Sequence, residues 1–291
     1  MPKSPGDAVQ FTTADGLSQN TVAALHQTPD RHVWVGTFRG LTEFDLKRFR
    51  KHTTAQGLSS DLIQSLAEDS AGSLWIATEG GGAIKLGSRE FVTFSTKDGL
   101  SKNTVRSVFE NQQGELCALT NDGYINRFDG REFTAINLNL PGIVLNSNVY
   151  DIIQDRAGEW WVATKQGLCR FPRVRAVEEL SRARPKAFYT TADGLADDDV
   201  RVLLEDSRGD IWMNSFALGK EALTRWERTT EKFHRYSDAD GLPPFRSAAC
   251  FCEDGRGNLL DRASRWSAGA VCRGPVYGFY GKRWHRGRGD Q

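Results

Sequence analysis

Gln64, Arg106, Tyr150 and Arg201 occupy the same place in successive copies of an internal repeat, with Ala23 and Ala249 at that place in two further copies. Aligned on the acidic turn that follows, each lies in the first apolar run of its copy. If those runs surround a common axis, the side chains converge on it. Arginine offers a planar fork for carboxylates, tyrosine a stacking face and a hydroxyl, and glutamine a donor and an acceptor for sugar hydroxyls. The same residues would equally serve to solvate the wall of a channel.

A second column precedes the first: Asn20, Asp61, Asn103, Ser147 and Asp198. Asn, Asp and Ser at the head of a strand cap a turn by accepting backbone amides, or they meet a ligand at the channel mouth. The turns on the same face vary more between copies: Phe38-Arg39, Glu79 to Gly82, Asn121-Asp122, Lys165-Gln166 and Phe216 to Glu221. Variation on a repeated scaffold is where specificity resides, so Arg39 and Lys165 join Gln64, Arg106, Tyr150, Arg201, Asn20, Asp61 and Asn103 as candidate ligand contacts.

Catalysis would need a convergent acid and base, and the sequence predicts none. His26, His32, His52, His234 and His285 fall in different columns of the repeat, and no pair of carboxylates stands in the inner column. Cys117, Cys169, Cys250, Cys252 and Cys272 contain no CxxC pair and no zinc-type spacing, so they read as small apolar residues. No cofactor and no metal is expected.

The 291 residues carry 38 basic and 37 acidic side chains, so no global field recruits nucleic acid or an anionic membrane. No run of eighteen apolar residues is present, and Met1 to Gln10 lacks the apolar segment of a signal peptide. The expected partner is a small molecule or oligosaccharide recognised locally, with no nucleic acid and no membrane contact by the chain itself.

The elements that must position these residues follow from the period. Trp34, Trp75, Cys117, Trp161, Trp212 and Leu260 form one column with steps of 41, 42, 44, 51 and 48 residues, the signature of a β-propeller. In the second copy Ile63 to Glu68, Leu74 to Thr78, Ala83 to Leu86 and Phe91 to Ser95 read as four short strands joined by tight turns. The fold class is therefore all-β, a propeller of four-stranded antiparallel blades, with about five complete blades and a partial sixth beginning near Arg246. A Trp at one point of every second strand reads as core between blades, with sugar stacking as the alternative. Ala8 to Thr13 has the form of a fourth strand without its own blade, suited to closing a ring. Val177, Leu180 and Ala183 lie at helical spacing, predicting a short surface helix on a decorated loop.

Three motifs carry a resemblance to a known family: Asp98-Gly99-Leu100-Ser101-Lys102-Asn103-Thr104-Val105, Glu68-Asp69-Ser70-Ala71-Gly72-Ser73-Leu74-Trp75-Ile76-Ala77-Thr78, and Gly40-Leu41-Thr42-Glu43-Phe44-Asp45. Over about residues 8 to 260 the chain resembles the two-component regulator propeller family. That resemblance implies a seven-bladed, non-catalytic sensor, set on the periplasmic side of the inner membrane in bacterial hybrid histidine kinases and related receptors. It also implies a downstream kinase in the parent protein, absent from this chain, which would then be a truncated fragment of a receptor. An enzyme of lyase or glycosidase type, or a plain protein-interaction scaffold, are the alternatives on the same scaffold.

Residues 1–259 read as propeller repeats and 260–291 as a degraded sixth blade. Trp has the single codon TGG, so advancing the frame by one base turns Trp266 and Trp284 into Gly. Trp266 lies six positions after Leu260, as Gly81 lies six after Trp75, and Trp284 lies eight after Val276, as Gly99 lies eight after Phe91. With glycine at about 7% of residues, two forced glycines in register arise by chance about once in 200. The tail is expected to be a frameshifted spelling of a normal blade, with Trp-Ile-Gly permitted at 260 to 262.

Overall fold

The computed structural model describes residues 11–87, 90–138, 140, 149–217, 220–236, 248–253 and 259–263. Five four-stranded antiparallel sheets and one two-stranded sheet follow one another along the chain. Blade 1 comprises β1 (Val22–Gln27), β2 (Val33–Thr37), β3 (Gly40–Phe44) and β4 (Phe49–His52). Blade 2 comprises β5 (Ile63–Glu68), β6 (Leu74–Thr78), β7 (Ala83–Leu86) and β8 (Phe91–Phe94). Blade 3 comprises β9 (Val105–Glu110), β10 (Leu116–Thr120), β11 (Tyr124–Phe128) and β12 (Phe133–Asn137). Blade 4 comprises β13 (Val149–Gln154), β14 (Trp160–Thr164), β15 (Gly167–Phe171) and β16 (Ala187–Tyr189), and blade 5 β17 (Val200–Glu205), β18 (Ile211–Ala217), β19 (Lys220–Glu227) and β20 (Lys232–Tyr236). The last sheet pairs β21 (Ala248–Glu253) with β22 (Leu259–Ala263).

Strand order within each full blade is sequential, and the first strands of neighbouring blades lie against one another. Second strands are sandwiched between two blades, which explains their unbroken apolar spelling. Every residue of β6, β10 and β14 is buried, whereas the middle of the outermost β8 is exposed. The core is correspondingly a series of seams. Trp75, Ala77 and Ala83 of blade 2 pack on Leu100, Val105, Val108, Ala118 and Phe133 of blade 3. Trp161 and Leu168 of blade 4 pack on Leu203, Met213 and Trp226 of blade 5. In the tryptophan column Trp34, Trp75 and Trp161 are buried core, whereas Trp212 is half-buried.

Backbone amides of three acidic turns also cross the seams, all in the same direction. The side chain ending the first strand of one blade accepts an amide from the acidic turn of the blade before it: Ser70 N to Glu110 Oε2 at 2.6 Å, Gln112 N to Gln154 Oε1 at 2.9 Å, and Arg156 N to Glu205 Oε2 at 2.9 Å.

Two features differ from the sequence reading. The fourth strand of blade 2 stops at Phe94, because Ser95 caps the 3-10 turn Thr96–Asp98 with Asp98 reaching back. The segment at Val177–Ser181 is a 3-10 helix and not a surface decoration, since Val177 and Leu180 are buried with Ile136, Leu138 and Leu140 beside blade 3. Helical spacing supplies an apolar side without saying what covers it. Residues 8 to 10 of the proposed closing strand lie outside the described residues; Phe11 packs on Phe44 and Phe49 at 5.3 and 5.2 Å, as Phe94 packs on the blade that follows it. Leu260 stands opposite Cys252, as Trp75 stands opposite Ala67, so position 260 keeps the register of the tryptophan column.

Among the described residues, blades 1, 2 and 4 lead to the next through a left-handed glycine: Gly57, Gly99 and Gly194. Gly57 and Gly99 have φ of 102° and 91°. A Cβ on Gly99 would lie 1.8 Å from the Phe133 carbonyl oxygen, while one on Gly57 would meet nothing nearer than 3.9 Å. Gly57→Ala is expected to cost roughly 1–2 kcal/mol, the conformational term alone, and Gly99→Ala clearly more because backbone must move. Urea midpoints of the two variants check this; equal losses would show that the blade 3 backbone yields freely.

Candidate functional site

The axial residues sit on a structural device that pattern reading missed. In each of the five full blades the ladder between the first and second strands is interrupted at one residue: Ala23, Gln64, Arg106, Tyr150 and Arg201. A bulge inserts an unpaired residue and re-aims its side chain, so the same local kink serves every blade. An alternation of period two would have hidden this, because the bulge breaks that alternation.

Blades 4 and 5 bring two of these side chains together. The Arg201 guanidinium lies 4.8 Å from the centre of the Tyr150 ring and donates to Asp199, with Nη2 to Oδ2 at 2.9 Å and Nε to Oδ1 at 3.1 Å. Hydrogen bonding to Asp199 raises the Arg201 pKa further, against the opposing effect of burial. Burial pushes the Tyr150 phenol up, Asp199 adds to it, and Arg201 and Arg106 oppose it. Tyr150 is therefore a neutral hydroxyl at physiological pH, with a proton to donate. Asp199, two positions before Arg201 and just ahead of β17, is a partner that the column analysis missed; the Asp-x-Arg spacing was the available signal.

Blade 2 shows how the variable turns relate to the axis. Gln64 Nε2 donates to Glu79 Oε2 at 3.0 Å, so the first residue of the turn between second and third strands reaches the axial residue of its own blade. The loops leading into the blades share this face, since Ser60 Oγ donates to Glu79 O at 2.9 Å and Gly82 N to Asn103 O at 2.7 Å. Lys165 and Arg39 hold the corresponding turns of blades 4 and 1, both exposed.

The capping column is used locally. Thr13 N donates to Asn20 Oδ1 at 2.7 Å, Thr54 N to Asp61 Oδ1 at 2.7 Å, Thr96 N to Asn103 Oδ1 at 2.8 Å, and Thr191 N to Asp198 Oδ1 at 2.7 Å. In every case the acceptor lies seven residues on and closes the connection between blades; Ser147 lies outside the described residues.

The histidines are engaged elsewhere. His26 meets Glu68 at 3.0 Å, His32 and His52 flank Glu43 at 2.7 and 3.4 Å, and His234 meets Glu227 at 3.3 Å. Among the described residues no three His, Cys, Asp or Glu side chains are grouped to hold a metal. Cys117 and Cys169 are buried free thiols, and burial pushes Cys169 up to about 12, so neither is a nucleophile at neutral pH.

The profile of the two component regulator propeller family matches residues 57–80 and 144–166, one repeat centred on Trp75 and one on Trp161. No curated protein sequence matches the chain. Among solved structures, two extracellular domains of hybrid two component systems from B. thetaiotaomicron are similar at 17% and 19% identity, with TM-scores of 0.55 and 0.57. The match covers 88% and 83% of this chain and 40% of each of theirs, so the chain spans well under half their length. A virginiamycin B lyase from Staphylococcus aureus is similar at 11% identity and a TM-score of 0.64, over 84% of this chain and 78% of the lyase. At such identities the likeness is one of fold. Two of the repeats thus match the two component regulator propeller profile, and the architecture is that of a β-propeller.

Proposed function

We propose that the chain is the ligand-sensing propeller of a two-component receptor, without catalysis of its own. What supports this is the column of bulges, one per full blade, at Gln64, Arg106, Tyr150 and Arg201 on the mutually packed first strands, with Asp199 held by Arg201. Such a column binds and orients, but it holds no free base. The parent receptor would be a histidine kinase, with the propeller on the periplasmic side and the kinase as its downstream partner. The lyase on the same fold is catalytically inactive as a histidine-to-alanine variant, whereas the described histidines here pair with carboxylates away from the axial column.

A ligand at 100 times its Kd adds about 2.7 kcal/mol, hence roughly 5 °C or more in the unfolding midpoint of a protein this size. Thermal unfolding against a panel of oligosaccharides and small carboxylates should yield such a shift, lost in Arg106→Ala and Arg201→Ala. Release of an elimination or hydrolysis product, seen by mass spectrometry, would instead make the chain an enzyme; a panel with no shift would favour an interaction scaffold.

We further infer that residues 260–291 are an out-of-frame spelling of the sixth blade. Leu260 keeps the tryptophan register, and Asp254 precedes it by six positions, as Asp69, Asp155 and Asp206 precede Trp75, Trp161 and Trp212. In those three blades that Asp accepts the indole N–H at 2.8 to 3.0 Å. The gene sequence decides: codon 260 onward, read one base later, should spell Trp-Ile-Gly, and any other reading ends the idea.

A further inference from the structure

Blade 3 holds three buried side-chain polar atoms that the fold leaves unused, of which Ser107 Oγ is one and a donor and an acceptor are the others. Arg106 Nε and Asn121 Oδ1 have no hydrogen-bond partner among the described residues. An unpaired buried donor or acceptor is costly, so the Arg106 and Asn121 atoms are a reservoir of binding energy for a molecule that satisfies both.

The repeat brings them to one place. Asn121 follows Thr120 as Glu79 follows Thr78, and Glu79 reaches the axial Gln64 of its own blade at 3.0 Å. Asn121 keeps that register, since its amide donates to Thr104 O at 3.2 Å, two residues before Arg106, as the Glu79 amide donates to Leu62 O at 2.9 Å, two residues before Gln64. In blade 2 the turn residue is a carboxylate that occupies the axial side chain; in blade 3 it is a neutral amide, and Arg106 has no carboxylate partner among the described residues. The next blade supplies the Tyr150 hydroxyl, which senses the charge of Arg106, and the exposed Lys165, likewise without an ion pair among the described residues. The neighbouring carboxylates face other groups: Asp122 accepts from Ser101 Oγ, Asp151 accepts the Leu203 amide, and Asp199 holds Arg201.

Resting on the sensing function above, we propose that the ligand of this site is a small hydroxycarboxylate. Its carboxylate lies on the Arg106 guanidinium and the Tyr150 hydroxyl, and one of its hydroxyls donates to Asn121 Oδ1. A guanidinium supplies the charge-assisted donors that a carboxylate needs, and an amide oxygen accepts from a hydroxyl but repels a second carboxylate. A neutral polyol would leave the Arg106 charge uncompensated, and a simple fatty acid would leave Asn121 unpaired.

Titration calorimetry on the full chain at low salt, with D-gluconate, sorbitol and hexanoate as probes, separates these features. Gluconate is expected to bind, hexanoate about 3- to 10-fold more weakly for want of the hydroxyl, and sorbitol least, for want of the charge. Arg106→Gln should weaken gluconate and hexanoate alike, by roughly 10- to 100-fold. Asn121→Ala should bring gluconate down to the level of hexanoate and leave hexanoate unchanged, which tests the site even if Arg106→Gln folds poorly. Sorbitol binding as tightly as gluconate, or gluconate indifferent to both substitutions, would overturn the ligand class while leaving a sensor of neutral sugars intact. Binding of none of the three probes would also overturn it, and the broader panel then decides whether the chain senses anything.

Discussion

Replacing Arg170 with Met is expected to lower the stability of the protein by about 3–5 kcal/mol, the usual cost of removing one partner from a buried ion pair. Its side chain is only 8% exposed, although it carries a full charge. Nε donates to Glu159 Oε2 at 2.7 Å, Nη1 donates to Glu231 Oε1 at 2.8 Å, and the guanidinium lies 5.0 Å from the Trp161 ring and 4.6 Å from the Trp226 ring. Those partners belong to blades 4 and 5, so the residue fastens one blade to the next. Methionine fills similar space but leaves Glu159, 12% exposed, with Lys186 as its remaining cation. The double variant Arg170→Met, Glu159→Gln should recover part of the loss, because it removes the stranded charge as well. Urea denaturation measures both; a loss below about 1 kcal/mol in the single variant would mean that the pair behaves as a solvated surface bridge.

Trp75→Ala is the second large effect, about 3–5 kcal/mol from the void left between blades 2 and 3. The ring is fully buried against Phe94, Phe128 and Phe133, at centroid distances of 5.4, 5.0 and 6.1 Å. Its Nε1 donates to Asp69 Oδ2 at 2.8 Å. Trp75→Phe keeps most of the apolar contact and drops that bond, so it should cost markedly less. Burial pushes the Asp69 carboxyl up, but the Trp75 indole, the Ser73 amide and Lys85 outweigh it and hold the group below its ordinary value of 3.8. A depressed carboxyl stabilises the fold above its unfolded-state value and loses that contribution as pH falls through the folded one. Wild type should therefore lose more stability than Trp75→Phe on acidification below about pH 4. Parallel acid titrations of the two would refute the coupling.

The sequence spelled out blades because a blade is a local object repeated. Strand, turn and Trp recur within some forty residues, and five copies correct one another's noise. Capping by Asn20, Asp61 and Asn103 was legible for the same reason, since donor and acceptor lie seven residues apart. What escaped depends on contacts between copies or on departures from period two. The bulge at Arg106 and Tyr150 breaks alternation, Asp199 declares itself only by reaching Arg201, and the Val177–Ser181 helix is buried by residues of another blade. The orphaned Asn121 oxygen looks like any polar turn residue until the geometry shows what its counterpart Glu79 does in blade 2.

The amides that the acidic turns send across the seams run one way along the chain. Ser70 waits for Glu110, Gln112 for Gln154 and Arg156 for Glu205, so each turn is sealed by the blade made after it. On a ribosome adding about 5–20 residues per second, the sealing blade follows by roughly 2–8 s. During that interval the newest blade also offers its seam face, tryptophan included, to whatever is nearest. Maturation thus becomes vectorial, a queue in which each blade guards the one ahead of it. Slowing translation one blade downstream of Trp75 should prolong its exposure to chaperones and proteases, whereas the same pause upstream should be harmless.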